Sequence, residues 1–329
     1  MKRLISGVPF SDCEYYPCGH VALDALLGFY GYDTPLVLHD QWVLLYKRPE
    51  NGSIGLFPRV DSESESLNQA GIEVLTHRET CGEAAWEKVK SCVDDGRPVA
   101  AMLDTFNLEM YYYPGLGHHS GHYVIVDGYD QRAQTVHVVD PSWIVRFRGD
   151  LPLAGFKDGW GSEHIPRYQW MEFQFPNTRQ SVKGDTILAT LRRNVMLMYL
   201  EKTTSPEMCI GLNGLKTLAE DLKGWKKERG DKASTYLKQL YDQVRSVIIE
   251  RDGHGKYLRS AAEIIELPQI ASVGVELRNV TQKWIVFRNH CLKGHRKHAP
   301  TALLDKLHQR LLDIATLEEN GLIRLANLI

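Results

Sequence analysis

The sequence predicts an α+β fold, in which an N-terminal helix packs on an antiparallel sheet and an all-α C-terminal domain follows. Two observations support this class. Helical and strand patterns alternate up to about Asn177, and from Leu212 onward the pattern is almost entirely helical. We therefore expect a first domain at 1-180 and a helical accessory domain at 181-329, in keeping with a soft prior of roughly 150 residues per domain.

The first predicted helix begins at Cys18, directly after Pro17, and Gly31 is its expected stop. Apolar residues recur there at three- and four-residue spacing, at Val21, Ala22, Ala25, Leu26 and Phe29. The unpaired N–H groups and the positive dipole end of a first turn favour thiolate over thiol. Cys18 is therefore a candidate nucleophile.

A β-hairpin is predicted from Tyr123 to Val139, with a polar turn between its strands. His122 opens the first strand and Asp140 ends the second, so the two lie near the same end of neighbouring antiparallel strands. With Cys18 they supply the nucleophile, the base and the base-orienting group of a papain-like Cys-His-Asp site. Taken singly, each also has a structural explanation, as a buried thiol, a strand histidine and a turn-forming aspartate.

Later segments give weaker predictions. Alternation over Tyr168–Phe175 predicts an edge strand, and Leu188–Leu200 fits either one more strand or the start of a helix. Glycine and proline stops divide the C-terminal part into four or five helices, at Gly230, Gly253-His254-Gly255, Gly294 and Pro300.

Composition excludes several classes of protein. A formal net charge of -2 argues against nucleic-acid binding. No apolar run reaches the ~20 residues of a membrane span, and Met1–Gly7 lacks the apolar core of a signal peptide. We expect a cytoplasmic protein in which all six cysteines are free thiols.

Two rival sites are weighed against Cys18. Cys13 is the other nearby thiol, but it precedes the helix and no glycine follows it. His118, His119 and His122 suggest zinc ligands, although no cysteine or carboxylate motif completes a set. With no phosphate loop and no dinucleotide fingerprint, we expect no cofactor and no metal.

These segments resemble a known family. Cys18-Gly19 with Gly31, the run His122–Asp130, and Val138–Pro141 are similar to the papain-like core of double-glycine leader peptidases. The stretch Gly96–Leu108 makes the butirosin biosynthesis protein H family the closer resemblance. Segments in the C-terminal half resemble the helical domain that accompanies the core in this family. They are Gly211–Leu215 with Leu218, Asp221 and Trp225, then Gly253–Gly255 with Arg259, and Trp284.

The resemblance implies an acyltransferase or amide synthase of natural-product biosynthesis, of the nonribosomal type. An acyl or peptidyl group would arrive as a thioester on the phosphopantetheine of a carrier protein. It would move to Cys18 and then to an amine acceptor, a diamine or an amino sugar. His122 would act as general base and then acid, and Asp140 would hold its imidazole. The expected partners are the carrier protein and the amine.

One position departs from the peptidase pattern. Those peptidases place a glutamine six residues before the cysteine as an oxyanion donor, and this chain has Asp12 there. An ionised carboxylate repels an oxyanion. The candidate donors are instead the backbone N–H of Cys18 or Gly19, with Tyr15 or Tyr16 as a side-chain donor. Because the glutamine is missing, the sequence argues against ordinary peptidase activity.

Each of two further segments has both a functional and a structural interpretation. Asp104, with Tyr111–Tyr113 nearby, either lines an amine pocket or is a structural aspartate. The basic cluster Lys293–His298 is either a docking patch for an acidic carrier protein or a solvated loop between helices.

Two alternatives to acyl transfer remain open at this point. A cysteine peptidase or thioesterase would use the same three residues and let water take the acyl group. A catalytically inactive homologue would bind without turnover, and an unreactive Cys18 would be its sign.

Overall fold

The computed structural model describes residues 1–13, 16–107, 119–142, 145–176, 182–200, 207–228 and 231–329. By its internal contacts the chain divides into two compact units. Unit 1 comprises Met1–Thr34 and Leu67–Arg179, and unit 2 comprises Pro35–Ser66 and Gln180–Ile329. The domain division at residue 180 stays a prediction; residues 35–66 group with the C-terminal half.

The elements are numbered along the chain. The strands are β1 (Lys2–Leu4), β2 (Leu45–Glu50), β3 (Ser53–Phe57), β4 (Glu73–Arg78), β5 (Val99–Asp104), β6 (Gly121–Asp130), β7 (Thr135–Asp140), β8 (Phe147–Pro152), β9 (Gln169–Gln174) and β10 (Met208–Ile210). The α-helices are α1 (Cys18–Phe29), α2 (Thr34–Leu38), α3 (Glu63–Gln69), α4 (Gly82–Asp94), α5 (Leu153–Trp160), α6 (Gly184–Met198), α7 (Gly211–Gly224), α8 (Lys232–Ile264), α9 (Pro268–Arg296) and α10 (Thr301–Ala326).

Unit 1 is built on an antiparallel sheet with the spatial order β4-β9-β5-β6-β7-β8, and β1 pairs with β6 as well. One core of this unit joins α4 and α5 to the strands, where Trp86, Phe156 and Trp160 pack with the valines of β6 and β7. The helix α1 contacts β6. It ends as predicted, because Gly31 adopts the left-handed conformation (φ 76°) that commonly terminates helices.

Unit 2 contains the sheet β10-β2-β3 and the helices α6 to α10. Arg59 helps to fix residues 35–66 within it: one guanidinium nitrogen lies 3.1 Å from Asp40 and 2.7 Å from the Ser66 hydroxyl. Its other terminal nitrogen lies 3.2 Å from Glu250 of α8. These bonds connect residues 35–66 to α8, a helix that lies far from them in the sequence.

A buried ion pair lies in the core of unit 2. Arg251 of α8 donates two hydrogen bonds of 2.9 Å to the carboxylate of Glu318 in α10, and neither side chain is exposed. The indole N–H groups of Trp42 and Trp284 donate to the same carboxylate at 3.2 and 3.0 Å. Four N–H groups, two from Arg251 and one from each tryptophan, therefore donate to the Glu318 carboxylate. A buried carboxylate requires such partners.

The structure confirms the coarse fold class: it is α+β, with an antiparallel sheet and a C-terminal helical region. The edge-strand prediction for residues 168–175 is wrong, because β9 pairs with β4 on one side and β5 on the other. The ambiguous segment Leu188–Leu200 lies mostly in the helix α6. Gly230 lies outside the described residues. Among those described, no helix is both long and apolar enough to cross a bilayer.

Gly253-His254-Gly255 was predicted to be a helix stop, and this is wrong because α8 continues through it to Ile264. The glycines instead permit close packing. A Cβ atom on Gly255 would lie 2.9 Å from the carbonyl oxygen of Gly274 in α9. Gly294 also lies inside α9, so the predicted stop at this residue is wrong. Pro300 is the N-cap of α10, which confirms the predicted helix boundary there.

Candidate active site

The adjacent strands β6 and β7 bring His122 and Asp140 together. The Nε2 atom of His122 lies 3.0 Å from Oδ2 of Asp140, whose side chain is fully buried. The backbone N–H of Ser142 donates to the other carboxylate oxygen at 2.9 Å. The carboxylate is thus held on both sides, and the imidazole is oriented by it.

Burial sets the protonation of this pair. Desolvation lowers the pKa of His122 to about 4 and raises the pKa of Asp140 to about 6. At neutral pH the imidazole is therefore neutral and the carboxylate is ionised. Since the carboxylate accepts a hydrogen bond, we assign the imidazole proton to Nε2, which leaves the Nδ1 lone pair as the basic site.

Cys18 is the first residue of α1, and Pro17 is the N-cap. No side chain among the described residues caps this helix end. The backbone N–H groups of the first turn therefore keep their capacity to donate to a negative charge. Cys18 is a free thiol and is partly exposed, which suits a nucleophile better than full burial does.

Three contacts within unit 1 position the start of α1 relative to the strands. A Cβ atom on Gly19 would lie 3.5 Å from the ring of Tyr123, the residue that follows His122. Upstream, the backbone N–H of Ser11 donates to the carbonyl of Pro141 at 3.2 Å, and its hydroxyl donates to Asp24 of α1 at 2.5 Å. The structure thus joins His122 to Asp140 directly and sets Cys18 beside the first residues of β6.

The predicted oxyanion candidates have different positions. Gly19 lies in the first turn of α1, and Tyr15 lies outside the described residues. Tyr16 is buried and packs edge-on against the His20 ring, with 4.9 Å between the ring centroids. Asp12 projects into solvent, with 89% of its side chain exposed and Arg146 at 4.0 Å. Its exposure agrees with the inference that it is not the oxyanion donor.

Asp104 is a fully buried carboxylate at the end of β5. It engages His119 Nδ1 and the Ser162 hydroxyl, both at 2.6 Å, and accepts the backbone N–H groups of Phe106 and Ser120 at 3.1 and 3.3 Å. These hydrogen bonds lower its pKa against the effect of burial. The contacts are those of a structural aspartate; Tyr111–Tyr113 lie outside the described residues, and the amine pocket stays a prediction.

The rival sites can be located as well. Cys13 is buried, and its sulfur lies 3.7 Å from a carboxylate oxygen of Asp24, which electrostatically disfavours a thiolate there. His118 lies outside the described residues, while His119 and His122 engage different aspartates. In the part of the chain that the structure describes, no three His, Cys, Asp or Glu side chains are grouped to hold a metal ion.

The basic cluster Lys293–His298 lies at the C-terminal end of α9. His295 Nδ1 lies 3.0 Å from the Ser234 hydroxyl, and His298 Nδ1 lies 3.0 Å from Asp231. Lys293, Arg296 and Lys297 are exposed. Cations at a helix C-terminus are favoured by the dipole, so the cluster has a structural role besides any docking role.

Sequence reasoning missed the contact between Tyr123 and Gln169. The Gln169 side-chain amide donates to the Tyr123 hydroxyl at 2.6 Å, which joins β9 to β6 beside the first turn of α1. Aromatic and β-branched composition predicts the strand at Tyr123, and alternation predicts the strand at Gln169, but neither pattern indicates that the two strands lie close together in the sheet.

The fold and the site define an α+β protein with a candidate cysteine-histidine-aspartate site and a helical C-terminal region. Residues 18–141 match the family model described as butirosin biosynthesis protein H, N-terminal. This part of the chain is therefore butirosin biosynthesis protein H-like, and the match spans all three candidate catalytic residues. Residues 163–325 match a second model, described as Domain of unknown function (DUF4872). No curated protein matches the chain.

Proposed function

We propose that this protein is an amide-forming acyltransferase of antibiotic or related natural-product biosynthesis, with a papain-like core. The observation that carries the proposal is the hydrogen bond between His122 and the fully buried Asp140. It lies in a domain whose first helix begins at Cys18, with no side-chain cap among the described residues. The family name supports the biosynthetic role.

The first half-reaction would transfer the acyl group from the carrier thioester to Cys18. The Cys18 sulfur attacks the thioester carbonyl while its proton moves to Nδ1 of His122. The tetrahedral intermediate then collapses, the bond to the carrier sulfur breaks, and the imidazolium returns its proton to that sulfur. A thioester is exchanged for a thioester, so no nucleotide or other energy source is needed.

The second half-reaction would form the amide. The neutral amine attacks the acyl carbon on Cys18, and Nδ1 of His122 takes the proton that the nitrogen loses. Collapse breaks the bond to sulfur, and the Cys18 thiolate regains the proton from the imidazolium. During both steps Asp140 stabilises the positive imidazolium across the 3.0 Å contact.

The oxyanion of each intermediate needs donors that do not come from Asp12. The backbone N–H groups of Cys18 and Gly19 are the first candidates, because no side chain in the described part of the protein caps the helix start to which they belong. Negative charge is also favoured at this end of the helix dipole. We propose no cofactor, and a chelator is expected to leave the rate unchanged.

The partners proposed for this reaction are a carrier protein that bears the acyl group on phosphopantetheine and a small-molecule amine. The exposed cations Lys293, Arg296 and Lys297 supply the charge that would attract an acidic carrier surface. This docking role concerns the rate of encounter and not the chemistry at Cys18.

The test is the intact mass of the protein after mixing with a simple acyl thioester, with and without excess diamine. We expect an adduct of one acyl group on the wild type, none on Cys18→Ala, and loss of the adduct on adding diamine with amide as the product. Cys81→Ala is a matched control, since Cys81 is an exposed free thiol elsewhere in unit 1.

Other outcomes contradict the proposal in different ways. An adduct that water removes as fast as the amine does would indicate a thioesterase or peptidase. A wild type that forms no adduct with a series of thioesters would indicate a binding homologue. An adduct that persists in Cys18→Ala would exclude Cys18 as the nucleophile.

A further inference from the structure

The ring of Tyr123 lies beside the first turn of the helix that begins at the candidate nucleophile. Tyr123 directly follows His122 on β6, and its Cδ2 and Cε2 atoms lie 3.5 and 3.6 Å from the position of a Cβ atom on Gly19. The hydroxyl is bonded to the carbon next to Cε2, so it too lies near the first turn of α1. The ring is partly buried, and an electrostatic interaction couples its hydroxyl to Cys18.

Gln169 fixes the phenol group. Its side-chain amide donates to the Tyr123 hydroxyl at 2.6 Å. The backbone carbonyl of Gln169 in turn accepts the indole N–H of Trp160 at 2.9 Å, and Trp160 is fully buried. The glutamine therefore sits on a rigid part of the sheet, and it holds the tyrosine oxygen in place.

This hydrogen bond also determines what the hydroxyl can still do. A phenol oxygen has one O–H to donate and lone pairs with which to accept. Because the Tyr123 oxygen accepts from the Gln169 amide, its own hydrogen can be donated to a different group. A donor that is fixed in advance and lies in a partly desolvated place stabilises a developing negative charge more than a mobile donor in water does.

We propose that Tyr123 is a catalytic residue whose hydroxyl donates to the oxyanion formed at Cys18, and that Gln169 is the positioning residue that fixes this hydroxyl. The pair takes the place of the side-chain donor that an exposed Asp12 does not provide. The inference rests on the proposed acyl transfer, and it adds a third donor to the two backbone N–H groups of the helix start.

Ionisation behaviour agrees with this role. Burial raises the pKa of Tyr123, the Gln169 hydrogen bond lowers it, and the nearby Cys18 raises it further. The net increase keeps the hydroxyl protonated at neutral pH, and a protonated phenol is the form that can donate.

The experiment compares Tyr123→Phe with the wild type in single-turnover acylation by a simple acyl thioester. We expect the acylation rate at saturating thioester to fall on the order of 10²-fold, with little change in the half-saturating concentration. The rate of Cys18 alkylation by iodoacetamide, a reaction that has no oxyanion, should stay within about twofold of the wild type. Tyr129→Phe is the matched control, because Tyr129 lies on the same strand and its hydroxyl donates to Asp94 at 2.6 Å.

Each result has one meaning. A Tyr123→Phe protein that acylates at the wild-type rate overturns the inference while leaving the proposed function intact. If Tyr123→Phe also loses alkylation because it misfolds, Gln169→Met carries the test: an acylation rate lowered about tenfold supports the inference, and an unchanged rate overturns it. A wild type that forms no Cys18 adduct contradicts the proposed function, and this inference with it.

Discussion

The Nε2 atom of His122 lies 3.0 Å from a carboxylate oxygen of Asp140, and the side chain of this aspartate has no exposure to solvent. The contact joins the second residue of β6 to the last residue of β7. Desolvation shifts the pKa values of both groups away from their ordinary values, and the effect of these shifts on the reaction can be measured.

Replacing Asp140 with asparagine should slow acylation of Cys18 about 10²- to 10⁴-fold, because the neutral amide neither holds the imidazole tautomer nor stabilises the imidazolium. The measurement is the single-turnover rate of adduct formation followed by mass. Asp150→Asn, at an exposed position on β8, is the matched control and should react like the wild type. A rate for Asp140→Asn within threefold of wild type would remove Asp140 from the mechanism.

The acid side of the pH profile should reflect Asp140 before His122. As pH falls, Asp140 takes up a proton near its pKa of about 6, whereas His122, with a pKa of about 4, stays neutral until the solution is more acidic. We expect the acylation rate to be constant at neutral pH and to fall below pH of about 6. Nitrogen-15 NMR of the imidazole should find His122 neutral at pH 5.5. A midpoint for His122 near the ordinary value of roughly 6.5 would contradict this.

Breaking the buried ion pair of unit 2 should destabilise the protein. Glu318→Gln leaves the Arg251 guanidinium buried without its counter-charge, and we expect a loss of about 3–5 kcal/mol in the free energy of unfolding. The control is the neighbouring Glu319→Gln, whose contact with Lys216 at 3.6 Å is partly exposed and should cost less than about 1 kcal/mol. Urea unfolding followed by tryptophan fluorescence compares the two, and equal midpoints would contradict the prediction.

Charge reversal in the basic cluster should affect only the carrier-bound substrate. We expect Lys293→Glu with Lys297→Glu to raise the KM for a carrier-protein thioester about tenfold at low salt and to leave a small soluble thioester unaffected. Lys283→Glu, an exposed position on the same helix, is the control. If both substrates respond alike, the cluster is a structural feature of the α9 terminus.

Local patterns predicted most of the candidate site. Pro17 and the apolar spacing that follows fix the start of a helix at Cys18, and a hairpin brings its two ends together whatever else the fold does. His122 and Asp140 could therefore be paired from the sequence. The contact between Tyr123 and Gln169 could not, because it depends on β9 lying next to β5, and no local pattern encodes that neighbour.

Glycine was the least reliable signal, for a physical reason. Gly31 ends a helix because it adopts a positive φ. Gly255 lies inside a helix, and a glycine is needed there because the backbone of α9 passes too close for a side chain. Both are glycines in an apolar helical pattern, and only the tertiary contact distinguishes them. The same limit applies to Arg59, whose partners Asp40 and Glu250 explain why residues 35–66 group with a unit formed mostly by the C-terminal half.

The pairing of β2 with β10 places Lys47 opposite Met208. A ribosome that synthesises this chain from its N-terminus therefore releases β2 and β3 long before the third strand of their sheet exists. Throughout the synthesis of Leu67–Arg179, the larger segment of unit 1, the strand edge that will receive β10 is open, and it is a surface on which a nascent-chain chaperone would act.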